Sequence, residues 1–462
     1  MVRASVVAER AGVRSVSVVS SSFLAQGRLV AKALGYSSLP LAEYPGVIML
    51  DDEADFRKKV DEGLVDRIIE GFASTVEVAG KVSEPAPRDI VFEGDLAAVQ
   101  EHFYRRMWSD GLPIIPPTIE KVGAFLRFTD RLPDEVIGAL LPEKREATVW
   151  NVAINGVMAG CRPEYMPVLL AIVEVIADPE FRIEDGGSTP GWEPLVIVNG
   201  PIVKDLDFNY EAGAMRVGRQ ANTSIGRFLR LYMRNIAGLR IPPGGTDKGT
   251  IAFTFNVAMA ENEDVVAELG WKPFSVERGF ARGENVVTVQ SVVAISLPIY
   301  VAGEKAADLA QTIVDIWAKG DVAAWAHTGM AFGKWNPLLV LSPSIASAMA
   351  RQGWTKEDLR NYLYEHAKMP AGTVESYGWQ VGGTSFSLER LVRKGKLPPE
   401  YAVSADPERL VPIFLRRESI GIVVAGDAGR NQARGYTSNH EQGPPISKKV
   451  RLPENWQELI KG

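Results

Sequence analysis

The single cysteine of the chain, Cys161, is the residue best suited to covalent chemistry. It stands between Gly160 and the pair Arg162-Pro163, and a proline at this point suits the first turn of a helix. Cys161 would then lie at about the N-cap, where the partial positive charge of the helix end and Arg162 both favour a thiolate. The sequence therefore predicts a catalytic cysteine. The alternative is a buried structural cysteine, since free cysteine is among the most buried residue types.

Amide and carboxylate side chains accompany this cysteine. Asn151 and Asn155 are four residues apart, so they are expected to share one face of the preceding helix and to bind substrate. Asp110 opens a proline-rich loop, residues 110–117, which suits either a pocket wall or a rigid brace. Asp110 and Glu164 are candidates for a general acid and base, which would be a second kind of catalytic apparatus.

A row of arginines occupies one predicted helix. Arg227, Arg230 and Arg234 follow one another at positions i, i+3 and i+7, which places them on one face. Such a row can hold a carboxylate or a phosphate by bidentate contacts, so Arg227 and Arg230 are predicted to bind substrate, with Arg162 as a further donor. The alternative is a solvated helix face or an interface.

Two glycine-containing turns follow predicted strands. Asn199 and Gly200 come directly after one strand, and the turn GDAGRN at residues 426–431 comes after another. Turns at the carboxyl end of a strand expose backbone N–H groups and often bind anions. Asn199, Arg430 and Asn431 are therefore further candidates for substrate binding, with an ordinary turn as the alternative.

Composition and missing motifs limit the function. The net charge of -6 argues against nucleic acid as a partner but is compatible with local basic pockets for small anions. The chain has no phosphate-binding loop, no G-x-S-x-G elbow, no Gly-x-Gly-x-x-Gly fingerprint and no Cys/His cluster, so we predict no metal site and leave any cofactor unassigned. One cysteine, no signal peptide and no membrane-spanning run predict a cytoplasmic protein without a membrane partner.

Residues 1–75 predict a strand–helix–strand–helix unit, with strands at 13–19 and 39–44 and helices at 23–34 and 52–72. This is the repeating unit of a doubly wound parallel sheet. Two strands are too few for such a sheet, which needs three or four strands. The segment is therefore predicted to be a partial Rossmann-like unit that another domain or another chain completes.

The rest of the chain predicts a linker and one large mixed α/β domain. The linker, residues 76–95, contains two prolines, and the domain occupies residues 96–462. The helices predicted in the domain span 96–108, 148–159, 164–177, 222–236, 304–319, 344–351 and 356–366. The predicted strands span 195–198, 250–257, 286–295, 338–341 and 419–425.

Together these motifs resemble the UGSC family of (seleno)proteins. The segments that carry the resemblance are DGLPIIPPT (110–118), NVAINGVMAGCRPEYMP (151–167), VNGP (198–201), ANTSIGR (221–227), residues 354–362 and IVVAGDAG (422–429). The DGLP and AGCRPEY segments are specific and the others are supportive. Their order and spacing agree with the family across residues 13–462.

The resemblance implies that a part of the protein is missing. In the family, a Rossmann-like N-terminal domain carries a selenocysteine-or-cysteine, Gly, Ser, Cys motif ahead of a run similar to residues 16–44 here. The similarity starts at about residue 13, close to the start of this chain, so the part that would hold the motif is expected to be absent. A second, short subunit is expected to carry the motif, with a degenerate paralogue as the rival explanation. The motif implies redox or carbon–sulfur chemistry, in which Cys161 is at most a supporting nucleophile or pocket residue.

Three functions follow from these observations. The first is the large subunit of a heteromeric thiol-dependent enzyme that acts on a small anionic substrate, with the reactive sulfur on a partner. The second is a self-sufficient lyase, hydratase or hydrolase that uses carboxylate side chains. The third is a non-catalytic subunit that stabilises another enzyme.

Overall fold

The computed structural model describes residues 1–46, 48, 51, 53–78, 85–187, 191–241, 254–382, 386–438 and 443–461. Within these ranges the chain forms an N-terminal segment, residues 1–78, and a large part in which helices and sheets alternate. The predicted α/β class is therefore confirmed, and the Rossmann-like detail stays a prediction.

The N-terminal segment is built on two parallel strands. Its helices are α1 (Val2–Arg10), α2 (Leu24–Ala33), α3 (Glu53–Lys59) and α4 (Val65–Ala73), and its strands are β1 (Ser17–Ser20), β2 (Tyr36–Ser38), β3 (Leu41–Tyr44) and β4 (Glu77–Val78). β1 pairs with β3, whereas β2 and β4 form a separate antiparallel pair. The predicted order of strands and helices is confirmed, and β4 lies within the range predicted as linker.

Helices cover both faces of the β1–β3 pair. Val19 and Leu41 face α1 and α2 in one apolar cluster. Val18 and Ala42 face the chain that joins α3 to α4 in another cluster. Within the described ranges no third strand pairs with β1 or β3, so this two-stranded sheet has covered faces and no neighbouring strand.

The large part contains most of the secondary structure. Its first helices are α5 (Leu96–Arg105), α6 (Ile119–Leu126), α7 (Val149–Ala159), α8 (Met166–Ile176), α9 (Ile202–Asp205), α10 (Gln220–Tyr232), α11 (Glu263–Glu268) and α12 (Phe274–Glu277). The later helices are α13 (Ala306–Ile313), α14 (Ala326–Phe332), α15 (Pro343–Ala350), α16 (Lys356–His366), α17 (Ala371–Gly382), α18 (Leu388–Arg393) and α19 (Trp456–Leu459). A π-helical stretch, Met233–Ala237, continues α10.

The strands of the large part form two main sheets and two short antiparallel pairs. The strands are β5 (Val136–Leu140), β6 (Arg145–Thr148), β7 (Glu193–Asn199), β8 (Met259–Ala260), β9 (Val286–Val292), β10 (Ala294–Ile295), β11 (Ile299–Tyr300), β12 (Leu338–Leu341), β13 (Lys368–Pro370), β14 (Leu410–Pro412), β15 (Gly421–Val424), β16 (Gln432–Thr437) and β17 (Ile446–Lys449). The first sheet has the order β17-β9-β7-β8. The second has the order β10-β16-β12-β15, with β11 also paired to β16.

The two sheets pack face to face between two layers of helices. Along β7, Leu195 points toward the second sheet, where it shares an apolar cluster with Leu338 of β12. The next residues on each strand point the other way, Val196 toward α7, α8 and α10 and Leu339 toward α13 to α18. This alternation, which follows from the two-residue period of a strand, gives four layers in the order helices, sheet, sheet, helices.

The prediction of a strand at residues 250–257 is wrong in its described part. Residues 254–257 are irregular, and the strand is β8, while residues 250–253 lie outside the described ranges. Just after these residues the chain is bonded to α10 and not to a strand: Ala258 N donates to Asn222 O (2.8 Å). The chain passes between the two sheets only after β8, where Glu261 N donates to Val198 O (3.2 Å) and Asn262 N donates to Val424 O (2.8 Å). The predicted strand 286–295 likewise divides into β9 and β10, which belong to different sheets.

Candidate functional site

Arg227 of α10 holds the loop that begins at Asp110. Its Nε and Nη2 donate to the two carboxylate oxygens of Asp110, both at 2.8 Å, and Nη2 also donates to Pro113 O (2.9 Å). The paired side chains are only 16% and 18% exposed. Burial alone would raise the pKa of Asp110, but the hydrogen bonds and charge of Arg227 outweigh it and hold that pKa below its ordinary value. Asp110 is thus an ionised anchor rather than a proton donor in this arrangement.

The same loop is fixed at two further points. Gln100 of α5 exchanges two hydrogen bonds with the backbone of Ile114, at 2.7 and 2.9 Å, and Ile115 N donates to Met158 O of α7 (3.4 Å). Leu112 and Ile115 stay exposed. The proline-rich loop is therefore a brace between α5, α7 and α10, with an apolar surface turned outward.

Cys161 lies where this loop, the end of α7 and α10 meet. Gly160 ends α7 in the left-handed conformation, and Cys161 N donates back to Gly156 O (3.0 Å). Burial raises the pKa of the thiol to about 12, although a hydrogen bond with Ser224 and the charge of Arg227 act in the opposite direction. We call Asp110, Cys161, Ser224 and Arg227 the Cys161 cluster.

Burial disfavours the predicted thiolate at Cys161, and a catalytic role for this residue stays a prediction. Arg162, and not Cys161, is the N-cap residue of the short helical turn Pro163–Tyr165. The side chain of Arg162 points its charge at Glu164, with which it forms an ion pair. Cys161 itself packs into the apolar core next to α7 and α8, so the desolvation of a charged sulfur outweighs the effect of the nearby helix end.

Asn151 and Asn155 do lie on one face of α7, as predicted, and this face packs against α10. Asn151 Oδ1 accepts from Thr148 N (3.1 Å), which completes a capping box, and from the hydroxyl of Tyr232 (2.6 Å). Asn155 Oδ1 accepts from Asn235 Nδ2 (2.9 Å). Both amides are used within the chain, and their role in substrate binding stays a prediction.

The arginine row is not a solvated face. Arg230 forms a buried ion pair with Glu193 at the start of β7, and burial lowers the pKa of Arg230 to about 10 against the opposing charge of Asp110. Arg234 Nε donates to Met107 O (2.8 Å). Each arginine of the row therefore meets an acceptor from a different segment of the chain.

Asn199 lies apart from the Cys161 cluster, at the carboxyl end of β7. Its Nδ2 donates to Glu261 Oε2 and to Glu263 Oε1, both at 2.8 Å, and Gly200 N donates to Glu263 Oε1 (2.9 Å). Burial raises the pKa of Glu263, and the hydrogen bonds from Asn199 and Gly200 limit the rise. The donors of this turn are thus occupied by carboxylates of the chain.

Arg430 and Asn431 lie on an exposed turn of the second sheet. Gly429 N donates to Asp427 Oδ1 (2.7 Å), and Arg430 Nε is 4.0 Å from Asp427. Val301 N donates to Asn431 O (3.1 Å), which ties this turn to β11. The structure does not bring these two residues to the Cys161 cluster.

A buried ion pair between Glu261 and Lys356 was not predicted from the sequence. Lys356 Nζ is 3.1 Å from Glu261 Oε1, with the two side chains 3% and 0% exposed. Glu261 also accepts from Phe274 N (2.6 Å). Lys356 follows the helix cap Thr355, a position at which a lysine usually points into solvent, so only the tertiary structure reveals it.

The fold and the site define an α/β protein. The loop at residues 110–117, the end of α7 and α10 meet at the buried thiol of Cys161. The N-terminal segment contains a two-stranded parallel sheet. Residues 1–73 match the family model of the UGSC family. This match supports the resemblance noted in the sequence over residues 1–73. No curated protein and no solved structure matches the chain.

Two further findings concern the described residues only. None of their helices has the length and apolar character that crossing a bilayer requires. They contain no group of three or more His, Cys, Asp or Glu side chains placed to hold a metal ion.

Cys161 is expected to react slowly with iodoacetamide in the folded protein. With a pKa of about 12, its thiolate fraction at pH 8 is roughly three orders of magnitude below that of an ordinary thiol. The rate should rise about tenfold per pH unit up to that pKa, and unfolding in urea should restore ordinary reactivity. Because the chain has one cysteine, intact-mass spectrometry counts the label directly. Rapid labelling of the folded protein at neutral pH would contradict the buried, protonated thiol.

Proposed function

We propose that the chain is the large subunit of a cytoplasmic, heteromeric, thiol-dependent enzyme. The reactive cysteine or selenocysteine is on a short partner subunit, and the chemistry is redox or carbon–sulfur chemistry on a small anionic organic substrate. The observation that carries the proposal is the two-stranded parallel sheet of the N-terminal segment, which is covered on both faces and unpaired along its length in the described ranges.

Strand β1 provides the edge at which a partner strand would pair. Ser17 N donates to Pro40 O (3.1 Å), so the ladder toward β3 uses Ser17 and then every second residue. By this alternation the backbone N–H of Ser20 points away from β3. On the opposite side of the sheet, Arg67 Nη1 already donates to Glu43 O (2.9 Å). The edge of β1 is therefore the better site for a foreign strand.

The Cys161 cluster supports different roles for the two subunits: the partner supplies the reactive sulfur, and this chain orients the substrate. The only cysteine of the chain is buried, and burial raises the pKa of its thiol to about 12, which favours a reactive sulfur supplied from outside. The braced loop and α10 give a rigid surface beside it, with the exposed Leu112 and Ile115 and the half-exposed cation Arg162. A rigid surface that orients a substrate against a nucleophile lowers the barrier by several kcal/mol in favourable cases.

Replacing Ser20 by proline is expected to weaken the complex at least tenfold. Ser20 has φ -57° and ψ 143°, which a proline adopts without strain, so the substitution removes little except the outward N–H. The matched control is Ser20→Ala, which keeps the N–H and loses only the hydroxyl. Each variant is produced in the native host and isolated by pull-down, and native mass spectrometry gives the fraction that carries a short partner subunit.

The outcomes separate the three functions. A complex that forms with wild type and Ser20→Ala but not with Ser20→Pro, and that alone is active, supports the proposal. Full activity of the isolated chain that survives Cys161→Ala and is lost in Glu164→Gln would favour a self-sufficient lyase, hydratase or hydrolase. Turnover of the complex that is unchanged by substitution of Arg162 and Asn155 would favour a non-catalytic subunit.

A further inference from the structure

We propose that helix α4 binds an amphipathic helix of the partner subunit on the side that faces the free edge of β1. The surface consists of Val65, Ile69 and Phe72, which we call the α4 flank. The partner helix would carry an apolar stripe with basic residues beside it. This inference rests on the proposed function, because it describes how the same partner subunit binds, and it adds a second contact to the strand that pairs with β1.

The α4 flank is apolar and exposed. Val65, Ile69 and Phe72 follow one another at positions i, i+4 and i+7, so they form one stripe along the helix. Their exposure lies between 48% and 60%. Single exposed apolar residues are common on protein surfaces, whereas a continuous apolar stripe is typical of a surface that binds another protein.

A different side of α4 packs on the sheet. Ile68 shares an apolar cluster with residues of β1 and β3. A β-carbon at Gly71 would come within 2.8 Å of Val16, just before β1, and within 3.4 Å of Pro40, just before β3. Helix α4 therefore lies over both strands, along the line where they pair.

The order of residues around α4 shows which edge of the sheet the α4 flank faces. Successive residues of an α-helix are about 100° apart around its axis, so Arg67 lies on one side of the sheet-facing residues, and Val65 and Phe72 lie on the other. Arg67 Nη1 donates to Glu43 O (2.9 Å), and in the ladder between β1 and β3 this carbonyl points away from β1. The Arg67 side of α4 thus lies over the outer edge of β3, and the α4 flank lies toward the free edge of β1.

A strand that joins β1 in parallel would bring a helix to this place. Parallel strands cannot be joined by a tight turn, and they are usually connected through a helix that packs on one face of the sheet. On the face that α4 covers, the next helix would lie over the new strand and beside α4, in contact with the α4 flank. The exposed stripe and the free strand edge are therefore adjacent parts of one surface, which one partner can cover.

Charges beside the α4 flank indicate the chemistry of the partner helix. Asp66 and Glu70 lie on the solvent side of α4, next to Ile69, and among the described residues neither carboxylate forms an ion pair. Arg67, the one basic residue of α4, is on the opposite side. Lysine or arginine residues beside the apolar stripe of the partner helix would match this acidic rim. A second copy of this chain would instead place like charges together in a symmetric contact.

Aspartate substitutions in the full chain test the α4 flank. Because Val65 and Ile69 are exposed, Val65→Asp and Ile69→Asp should leave the melting temperature of the isolated chain within about 2 °C of wild type. After production in the native host and pull-down, native mass spectrometry should show that the fraction carrying the short partner falls by about tenfold or more, because the complex would bury the new charge. Val403→Asp, the same change at an exposed position of the large part, should bind as wild type does.

A conservative variant covers the case in which a charged variant fails to fold. Ile69→Cys adds one exposed thiol to a chain whose own cysteine is buried. Intact-mass spectrometry of this chain gives its rate of labelling by iodoacetamide, which should be lower by about tenfold or more in the complex than in the free chain. Val403→Cys should be labelled at the same rate in both.

The outcomes distinguish this inference from the proposed function. Loss of the partner in both aspartate variants, together with protection of Ile69→Cys, supports the inference. A partner that is lost in Ser20→Pro but retained by Val65→Asp and Ile69→Asp would overturn the helix contact and leave the proposed function standing, and so would equal labelling of Ile69→Cys in the complex and in the free chain. A wild-type chain that carries no short partner would overturn both. A wild-type complex with twice the mass of the chain would show that a second copy covers this surface, against the inference.

Discussion

Replacing Arg227 by glutamine is expected to lower the free energy of unfolding by about 2–4 kcal/mol. The substitution removes both charge-assisted bonds to Asp110 and the bond to Pro113 O, and it leaves a largely buried carboxylate without its counter-charge. The loop at residues 110–117 also loses its link to α10. Urea denaturation followed by tryptophan fluorescence gives the change, and the same titration shows whether unfolding stays cooperative.

A matched control is available on the same stretch of chain. Arg219 pairs with Asp207 through two contacts of 2.6 Å, but these side chains are 54% and 74% exposed. Arg219→Gln is expected to cost less than about 1 kcal/mol, because solvent already screens that pair. If Arg219→Gln and Arg227→Gln lower the free energy of unfolding equally, burial of the Asp110–Arg227 pair contributes nothing to stability.

The effect of Arg227→Gln should depend on pH. The folded-state pKa of Asp110 lies below its ordinary value of 3.8, so the pair contributes stability above about pH 4. That contribution disappears as the pH falls through the folded-state pKa. The difference in stability between wild type and Arg227→Gln is therefore expected to be constant near neutrality and to shrink in acid. A difference that grows in acid would contradict this assignment.

Local patterns predicted the local elements well. The cap Thr355 with Asp358 three residues later marked the start of α16, and a capping box is present there. The apolar helices α7 and α8 and the strand β12 also fall within two residues of their predicted ends. In each case the signal lies within a few residues of the element, so neighbouring segments of the chain were not needed to find it.

Contacts between segments that are far apart in the chain could not be predicted from the sequence. Asp110 and Arg227 are 117 positions apart, and spacing on one helix says which arginines share a face but not what that face meets. The same holds for Cys161. Its helix-end position favoured a thiolate, whereas burial against α7, α8 and the braced loop, which no local pattern reports, raises its pKa. Desolvation is a tertiary property, and here it outweighs the local electrostatics.

Replacing Lys356 by methionine is expected to destabilise the protein by about 3–5 kcal/mol. Methionine fills a similar volume, so the main loss is the counter-charge of Glu261, which is fully buried where the two sheets meet. Glu261 would keep its bonds from Asn199 Nδ2, Phe274 N and Val424 N, but these donors are neutral and do not replace the counter-charge. The loss should appear in urea denaturation as a lower midpoint.

The controls for Lys356→Met separate charge from packing. Lys204 pairs with Asp264 at the surface, with 62% and 56% of the side chains exposed, and Lys204→Met should cost less than about 1 kcal/mol. Adding Glu261→Gln to Lys356→Met removes the unpaired charge of Glu261 and should recover part of the lost free energy of unfolding. The reason is that burying an amide costs far less free energy than burying an unpaired carboxylate. A double variant less stable than Lys356→Met alone would mean that the lysine acts by packing. The ion pair would then not be what holds the two sheets together at this point.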